Sequence, residues 1–99
     1  MAVFALKDVG IEEFLNGVVQ TYPNPAQEWI SLCFDLEKPC FVQVGLFDVS
    51  GAELLRIYNG ALEVGLFERQ INTSELPSGI YYLTIMINGH HHLESIIIE

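Results

Sequence analysis

The segment WISLCFDL, residues 29–36, alternates large apolar residues with smaller or polar ones at a period of two. One side of this segment carries four apolar residues: Ile30, Leu32, Phe34 and Leu36. A period of two is typical of a strand with one buried face. The stretch therefore predicts a half-buried β-strand, and the segments around it decide whether the whole chain repeats that signal.

The rest of the chain repeats it. Residues 41–48 alternate again, with Val42, Val44 and Leu46 on one face. Turns are predicted at residues 48–51, where Asp can bond to the backbone and Gly can take a positive φ, at Asn59-Gly60, at residues 72–79 and at Asn88-Gly89. Further strands are predicted at residues 53–58, 66–71, 80–87 and 93–98. These six segments, or about seven short strands in all, at intervals of roughly 8–12 residues indicate an all-β, antiparallel sandwich.

The two cysteines flank DLEKP, residues 35–39, which we interpret as a hairpin turn. Cys33 and Cys40 could approach each other across that turn, but strand parity places them on different faces. Free buried thiols are therefore favoured over a disulfide.

The last hairpin has two possible registers around Asn88-Gly89. A two-residue turn would pair Ile87 with His90 and place Glu94 on the inward face, which would bury a charge. A three-residue loop with a bulge would pair Ile85 with Leu93 and leave Glu94 outside. We expect the second register.

Composition excludes several classes of partner. The chain has 99 residues, 51% of them hydrophobic, and a formal net charge of −9. One domain of this size can bury a single core. The acidic balance argues against a nucleic-acid partner, and no apolar run approaches the ~20 residues that membrane insertion requires. We interpret residues 1–17 as a linker or the end of an upstream segment and residues 18–99 as the folded domain.

Little in the sequence predicts catalysis or a cofactor. His90 and His92 share a strand face while His91 points the other way, so at most two histidines converge on a metal, and a solvated strand beside a turn is the favoured interpretation. The carboxylates fall mostly in turns or at outward positions. Asn72-Thr73-Ser74 fits a glycosylation sequon, but a loop-capping Asn is the favoured interpretation. The chain is expected to be non-enzymatic.

Four motifs occur in a characteristic order: TYPNPAQEWISL, VQVGLFDVSGAELL, RQINTSELPSGIYYLTIMING and a terminal strand. In this order and spacing they resemble the type A C-terminal sorting domain of the type IX (Por) secretion system of Bacteroidetes, over roughly residues 18–98. Family members commonly carry lysines near the final strand, whereas this chain has no lysine or arginine after Arg69.

The resemblance implies an immunoglobulin-like sandwich that passes through the periplasm to the cell surface or medium with an upstream cargo domain. An outer-membrane translocon would recognise it, and a sortase-like peptidase would cleave it on surface anchoring. The strand at Ile96, Ile97 and Ile98 would be the part that the translocon recognises. The motif positions, with structural or recognition roles, are Tyr22, Pro23, Asn24, Pro25, Asp48, Gly51, Leu76, Gly79 and Tyr81. Gly79 would take an unusual φ, and Tyr81 would pack its ring while its hydroxyl finds a partner.

Two other functions are kept as alternatives. The first is a stand-alone periplasmic or surface binding module for protein or glycan, with Trp29, Tyr58 and Tyr82 as candidate contacts on outward parity. The second, much weaker, is an enzyme that uses the histidines and a carboxylate.

Overall fold

The computed structural model describes residues 9–99, which form one short 3-10 helix and seven strands. The helix spans Val9–Glu13 and the strands are β1 Gln20–Tyr22, β2 Trp29–Leu36, β3 Cys40–Phe47, β4 Glu53–Leu62, β5 Gly65–Asn72, β6 Gly79–Ile87 and β7 His90–Ile98. The part of the expected linker in residues 1–8 lies outside the described residues. Residues 9–17 pack on the sandwich, because Ile11 is buried in its core.

The strands of residues 9–99 form two antiparallel sheets. The three-stranded sheet has the order β1-β2-β5, and the four-stranded sheet has the order β4-β3-β6-β7. All strand pairs in both sheets are antiparallel. The expected immunoglobulin-like β-sandwich is confirmed, with β1 as a short strand that the sequence pattern did not predict.

The core lies between the inward faces of the two sheets. The alternating residues of β2, from Ile30 to Leu36, are buried as predicted, and they face Val42, Val44 and Leu46 of β3. Leu83 and Ile85 of β6 have 0% exposure, which confirms the inward face of that strand. Removing so much apolar surface from water is the main source of stability for a domain of this size.

The predicted hairpin at DLEKP is wrong. β2 pairs with β1 and β5, whereas β3 pairs with β4 and β6, so the connection crosses from one sheet to the other. Both described cysteines are free thiols; Cys40 is buried and Cys33 is only half-buried. Burial raises the pKa of each thiol, and the nearby carboxylates of Glu68 and Asp35 raise the pKa of Cys33 further.

The predicted turn at Asn59-Gly60 is also wrong. Asn59 pairs with Gln43 and Gly60 with Val42, so both residues lie inside β4. The chain instead turns just before Gly65, whose φ is +131°. β3 offers hydrogen-bond partners along its whole length, and that ladder overrides the local turn preference of the dipeptide.

The expected register of the last hairpin is wrong as well. A two-residue Asn88-Gly89 turn pairs Ile87 with His90 and Leu83 with Glu94. Both turn residues have positive φ, 47° and 88°, as a tight hairpin turn requires. Glu94 points inward without being sealed in the core, because its Oε2 lies 3.2 Å from His92 Nε2 and about 29% of its side chain stays exposed.

The space beside Glu94 is a cleft of about 590 Å³ at one edge of the sandwich. Ile11 and Leu15 contribute apolar walls, and His92 and Glu94 contribute polar ones. At the opposite edge, Tyr58 packs its ring edge-on against Phe67 at 5.4 Å, and Phe67 stacks on Phe34 at 4.8 Å. Among residues 9–99, no helix has the length and apolar character needed to cross a membrane.

Candidate functional site

Strand ends bring the sequence motifs together at one end of the sandwich. Phe47 pairs with Tyr82, and Gly79 pairs with Ile98, so the end of β3, the start of β6 and the end of β7 lie side by side. The region that we call the motif end consists of residues 22–26, 48–51, 76–81 and 95–99.

Asn24 joins the opening motif to the last strand. Its Nδ2 donates a hydrogen bond to the carbonyl oxygen of Ser95 at 3.1 Å, and its Oδ1 accepts one from the amide of Ile97 at 3.0 Å. The Tyr22-Pro23 and Asn24-Pro25 peptide bonds that flank it are both cis. Since β7 is the edge strand of its sheet, the Asn24 amide satisfies backbone groups that no neighbouring strand reaches.

Ala26 continues this contact with its backbone. Its amide donates to the carbonyl oxygen of Ile97 at 2.8 Å, and its carbonyl oxygen accepts from the amide of Glu99 at 2.9 Å. The Ala26 side chain has 0% exposure. Residues 24–26 therefore act as a short substitute strand that covers the C-terminal half of the β7 edge.

One carboxylate oxygen of Asp48 caps the D-x-x-G turn, beside the backbone hydrogen bonds of that turn. Oδ1 of Asp48 accepts hydrogen bonds from the Ser50 hydroxyl at 2.6 Å, the Ser50 amide at 2.9 Å and the Ala52 amide at 3.1 Å. These hydrogen bonds, the Ser50 hydroxyl first, lower the pKa of Asp48. Gly51 has φ +91°, which favours glycine.

The block around Tyr81 closes the same end. The Tyr81 ring is buried and its hydroxyl donates to the carbonyl oxygen of Pro77 at 2.5 Å, as expected from the sequence. A tyrosine whose hydroxyl returns to the backbone a few residues upstream is a recurrent corner of immunoglobulin-like sandwiches. Gly79 has φ +154°, and Leu76 packs against the core from a half-buried position.

The loop before this block is capped by Asn72. Its Oδ1 accepts hydrogen bonds from the amide of Ser74 at 2.9 Å and from the Ser74 hydroxyl at 2.7 Å. Thr73 is buried, and its amide donates to the carbonyl oxygen of Glu28 at 2.8 Å. The loop is thereby tied to the segment that follows the YPNP motif.

The isoleucines of the terminal strand alternate between the two faces of the sheet. Ile96 and Ile98 are buried in the core, and Ile96 pairs with Tyr81. Ile97 is 46% exposed and faces outward. Of the three isoleucines, only Ile97 therefore offers a side chain to another molecule, while the other two hold the strand in place.

The histidines lie at the opposite end of β7. His90 and His92 share one face of β7, as predicted, but the observed register turns that face inward, where both are half-buried, and leaves His91 exposed on the outward face. Within residues 9–99, no group of three or more His, Cys, Asp or Glu side chains could hold a metal ion.

Of the candidate contacts of a binding module, Trp29 is 42% exposed and Tyr82 is half-buried at an outward position. Tyr58 contradicts its predicted outward parity. It packs inward on Phe67, because β4 has an extra residue, Ile57, opposite the step from Val44 to Gly45, and this shifts the register of β4.

The sequence did not predict the hydrogen bonds that join Asn24 and Ala26 to the last strand. Asn24 stood out between two prolines, but its hydrogen-bond partners lie 71 and 73 positions further along the chain. A local sequence pattern cannot predict a contact between residues so far apart in the chain.

A search of curated proteins gave no match to this chain. A family model, described as a secretion system C-terminal sorting domain, matches residues 20–99. The matched range begins at the first residue of β1 and includes the whole motif end. The chain therefore belongs to the family of C-terminal sorting domains of type IX secretion.

Proposed function

We propose that this domain is the export signal of an upstream cargo protein, bound by the outer-membrane translocon of type IX secretion after the cargo reaches the periplasm. A sortase-like peptidase then removes it as the cargo is anchored at the cell surface. The domain catalyses no reaction and needs no cofactor. Family membership supports the sorting role, and the geometry of the motif end supports the way in which the signal is presented.

The observation that carries the proposal is the contact between residues 24–26 and residues 95–99. It joins the first and last motifs of the chain on one surface. Tyr22, Ile80 and Ile97 are 46%, 51% and 46% exposed there. A translocon that binds this end therefore contacts a folded surface built from distant segments, and a linear peptide copied from the last strand would not reproduce it.

Charge gives a further constraint on recognition. No lysine or arginine follows Arg69, and the chain ends in LESIIIE. Export of this domain therefore depends on backbone shape and apolar contacts at the motif end, with no contribution from a lysine or arginine in the last strand.

The test is a fusion of residues 18–99 to a periplasmic reporter protein in a cell with an active type IX system. The expected result is reporter at the cell surface or in the medium, and reporter retained in the periplasm when the translocon is deleted. Retention in the active cell would contradict the sorting function and would favour the stand-alone binding module.

A matched pair of variants tests whether the contact between Asn24 and β7 matters for export. Asn24→Ala removes both hydrogen bonds to β7, and we expect it to lower export of the reporter. Asn59→Ala makes the same chemical change at an exposed position of β4 and is expected to leave export unchanged. If the two variants were exported equally, recognition by the translocon would not require the Asn24 contact.

A further inference from the structure

The outward face of the three-stranded sheet has a groove of about 440 Å³ above Ser31. Ser31 lies on the central strand, β2, and pairs with Tyr22 of β1 on one side and with Gln70 of β5 on the other. Trp29 lines the groove two residues before Ser31 on β2, and Glu68 lines it two residues before Gln70 on β5. Five side chains from three strands therefore surround one depression.

The Ser31 hydroxyl faces this groove without a hydrogen-bond partner in the described part of the chain. Ser31 is only 5% exposed, and its hydroxyl makes no hydrogen bond to any other residue of 9–99. No side-chain oxygen or nitrogen of these residues is both sealed from solvent and unpaired, so the Ser31 oxygen must reach the space of the groove. A nearly buried hydroxyl in this position offers one donor and one acceptor to a bound molecule.

Two exposed aromatic rings flank this hydroxyl. Tyr22 is 46% exposed, and Trp29, the single tryptophan of the chain, is 42% exposed. Their backbone positions are about 8 Å apart, because they lie on adjacent strands and are offset by two residues along them. Aromatic faces attract the C–H faces of flat ligands, and the Gln70 amide and the Glu68 carboxylate can bind hydroxyl groups.

The charges around the groove favour an uncharged ligand. Arg69 also lines the groove, but its guanidinium lies over the inward-facing Phe67 ring, 4.8 Å from the ring centroid, and so turns away from the outward face. Glu68 remains on the outward side, and the chain as a whole has a net charge of −9, which repels anions. An apolar side chain of another protein would seal the Ser31 hydroxyl without a hydrogen bond, which costs free energy.

We propose that this groove binds a neutral saccharide of several hexose units. One pyranose ring stacks on the Trp29 indole, and its hydroxyl groups exchange hydrogen bonds with Ser31 and Gln70. A second hollow, of about 300 Å³, lies beside Trp29 and Asn72, so that further sugar units can continue past the indole. This binding does not require the sorting role, and its test uses the isolated chain.

The fluorescence of Trp29 tests the proposal, because no other tryptophan contributes to the signal. The 99-residue chain is titrated with maltohexaose, cellohexaose and mannohexaose, each to about 10 mM. We expect at least one sugar to change the Trp29 emission with a Kd on the order of 1 mM, as an open groove allows. Raising the salt from about 50 mM to about 500 mM should change that Kd less than about twofold, since the ligand is neutral.

Two results would overturn the proposal. The first is an unchanged emission with all three sugars. The second is tighter binding of hexalysine than of any sugar, with a strong dependence on salt, because the groove would then be a site for a basic peptide.

Two serine variants provide a matched comparison. Ser31→Ala removes the groove hydroxyl and is expected to weaken saccharide binding about fivefold or more. Its Tm should stay the same or rise, because the hydroxyl has no protein partner to lose. Ser95→Ala makes the same change at an exposed position of β7 on the other sheet and should bind the sugar like the parent chain. Equal affinity of the two variants would contradict the role of the Ser31 hydroxyl.

Two aromatic variants test the stacking platform by titration calorimetry, which does not need the fluorophore. Trp29→Ala is expected to reduce binding below detection, while circular dichroism shows an unchanged fold. Phe41→Ala removes an aromatic ring that is 50% exposed on the other sheet, and it should leave the affinity unchanged. Binding of the sugar by Trp29→Ala at the parent affinity would show that the saccharide site lies elsewhere.

Discussion

The two halves of β7 share one strand and one register but have different surroundings. The C-terminal half turns Ile96 and Ile98 into the core, and residues 24–26 cover its free edge. The N-terminal half turns His92 and Glu94 inward, where they line the open cleft. An edge strand can therefore carry a fully apolar inner face where a second segment covers it, and it accommodates polar side chains where the edge of the sandwich stays open.

The largest expected effect comes from substitutions on this inward face. Ile96→Ala should lower the free energy of unfolding by ~2–5 kcal/mol, since it leaves a cavity in the core. Leu83→Ala, at the centre of β6, should cost about the same. His92→Ala, on the same face of β7 but in the open half, should cost less than ~1 kcal/mol. Urea denaturation measures all three variants, and similar losses for Ile96 and His92 would contradict the difference between the halves.

Next in size is the loss of the Asn24 contact. Asn24→Ala removes two hydrogen bonds to the backbone of β7, and we expect a loss of ~1–2 kcal/mol because water replaces part of each bond. Hydrogen exchange should show faster exchange of the Ile97 amide, with little change at the amides of the other half. Uniform acceleration along β7 would show that Asn24 acts on the whole sandwich.

A pair of tyrosines gives a smaller effect. Tyr81→Phe removes the hydroxyl that bonds to Pro77 and should cost ~1 kcal/mol, because the carbonyl oxygen loses its partner in a partly buried site. Tyr58→Phe removes a similar bond, from the Tyr58 hydroxyl to the carbonyl oxygen of Ala61, at an exposed position. It should cost less, since water can replace the hydroxyl there. Thermal unfolding of the two variants compares the sites directly.

The smallest effect is the pH dependence of the Asp48 turn. Hydrogen bonds hold the pKa of Asp48 below its ordinary value of about 3.9. A group whose pKa is lower in the folded state stabilises the protein above the unfolded pKa, and that stabilisation is lost as the pH falls through the folded pKa. The difference in Tm between the parent chain and Asp48→Asn should therefore shrink below about pH 4. A difference that stays constant from pH 7 to pH 2 would contradict this role.

Much of the fold follows from local sequence pattern, and the exceptions have physical causes. Alternation predicts β2 at its observed bounds, Trp29–Leu36, because its inner residues face a closed core. The same Asn-Gly dipeptide makes a turn at Asn88-Gly89 but lies inside β4 at Asn59-Gly60. An Asn-Gly dipeptide forms a turn only where no neighbouring strand offers it hydrogen-bond partners. The local sequence does not show which strands will be neighbours.

The residues of the candidate site could be predicted from the sequence, but the contacts that bring them together could not. The motifs identified Asn24 and Tyr81, and the local role of Tyr81 followed from its buried ring and its hydroxyl. The contact of Asn24 with Ser95 and Ile97 depends on how the two sheets stack. The predicted register of the last hairpin was wrong for a related reason. It assumed that an inward Glu94 would bury its charge in a sealed core, whereas the edge of the sandwich is open there.

The closure of the β7 edge also sets an order of events during synthesis. A ribosome releases residues 24–26 long before residues 95–99, yet neither segment completes its hydrogen bonds without the other. Contacts over such a separation form late, after the two distant segments have been brought together. The motif end is therefore assembled only when translation has passed Ile97, so a prematurely terminated product would lack it. A receptor that binds this end would thereby distinguish chains that contain both segments from chains that stop before residue 95.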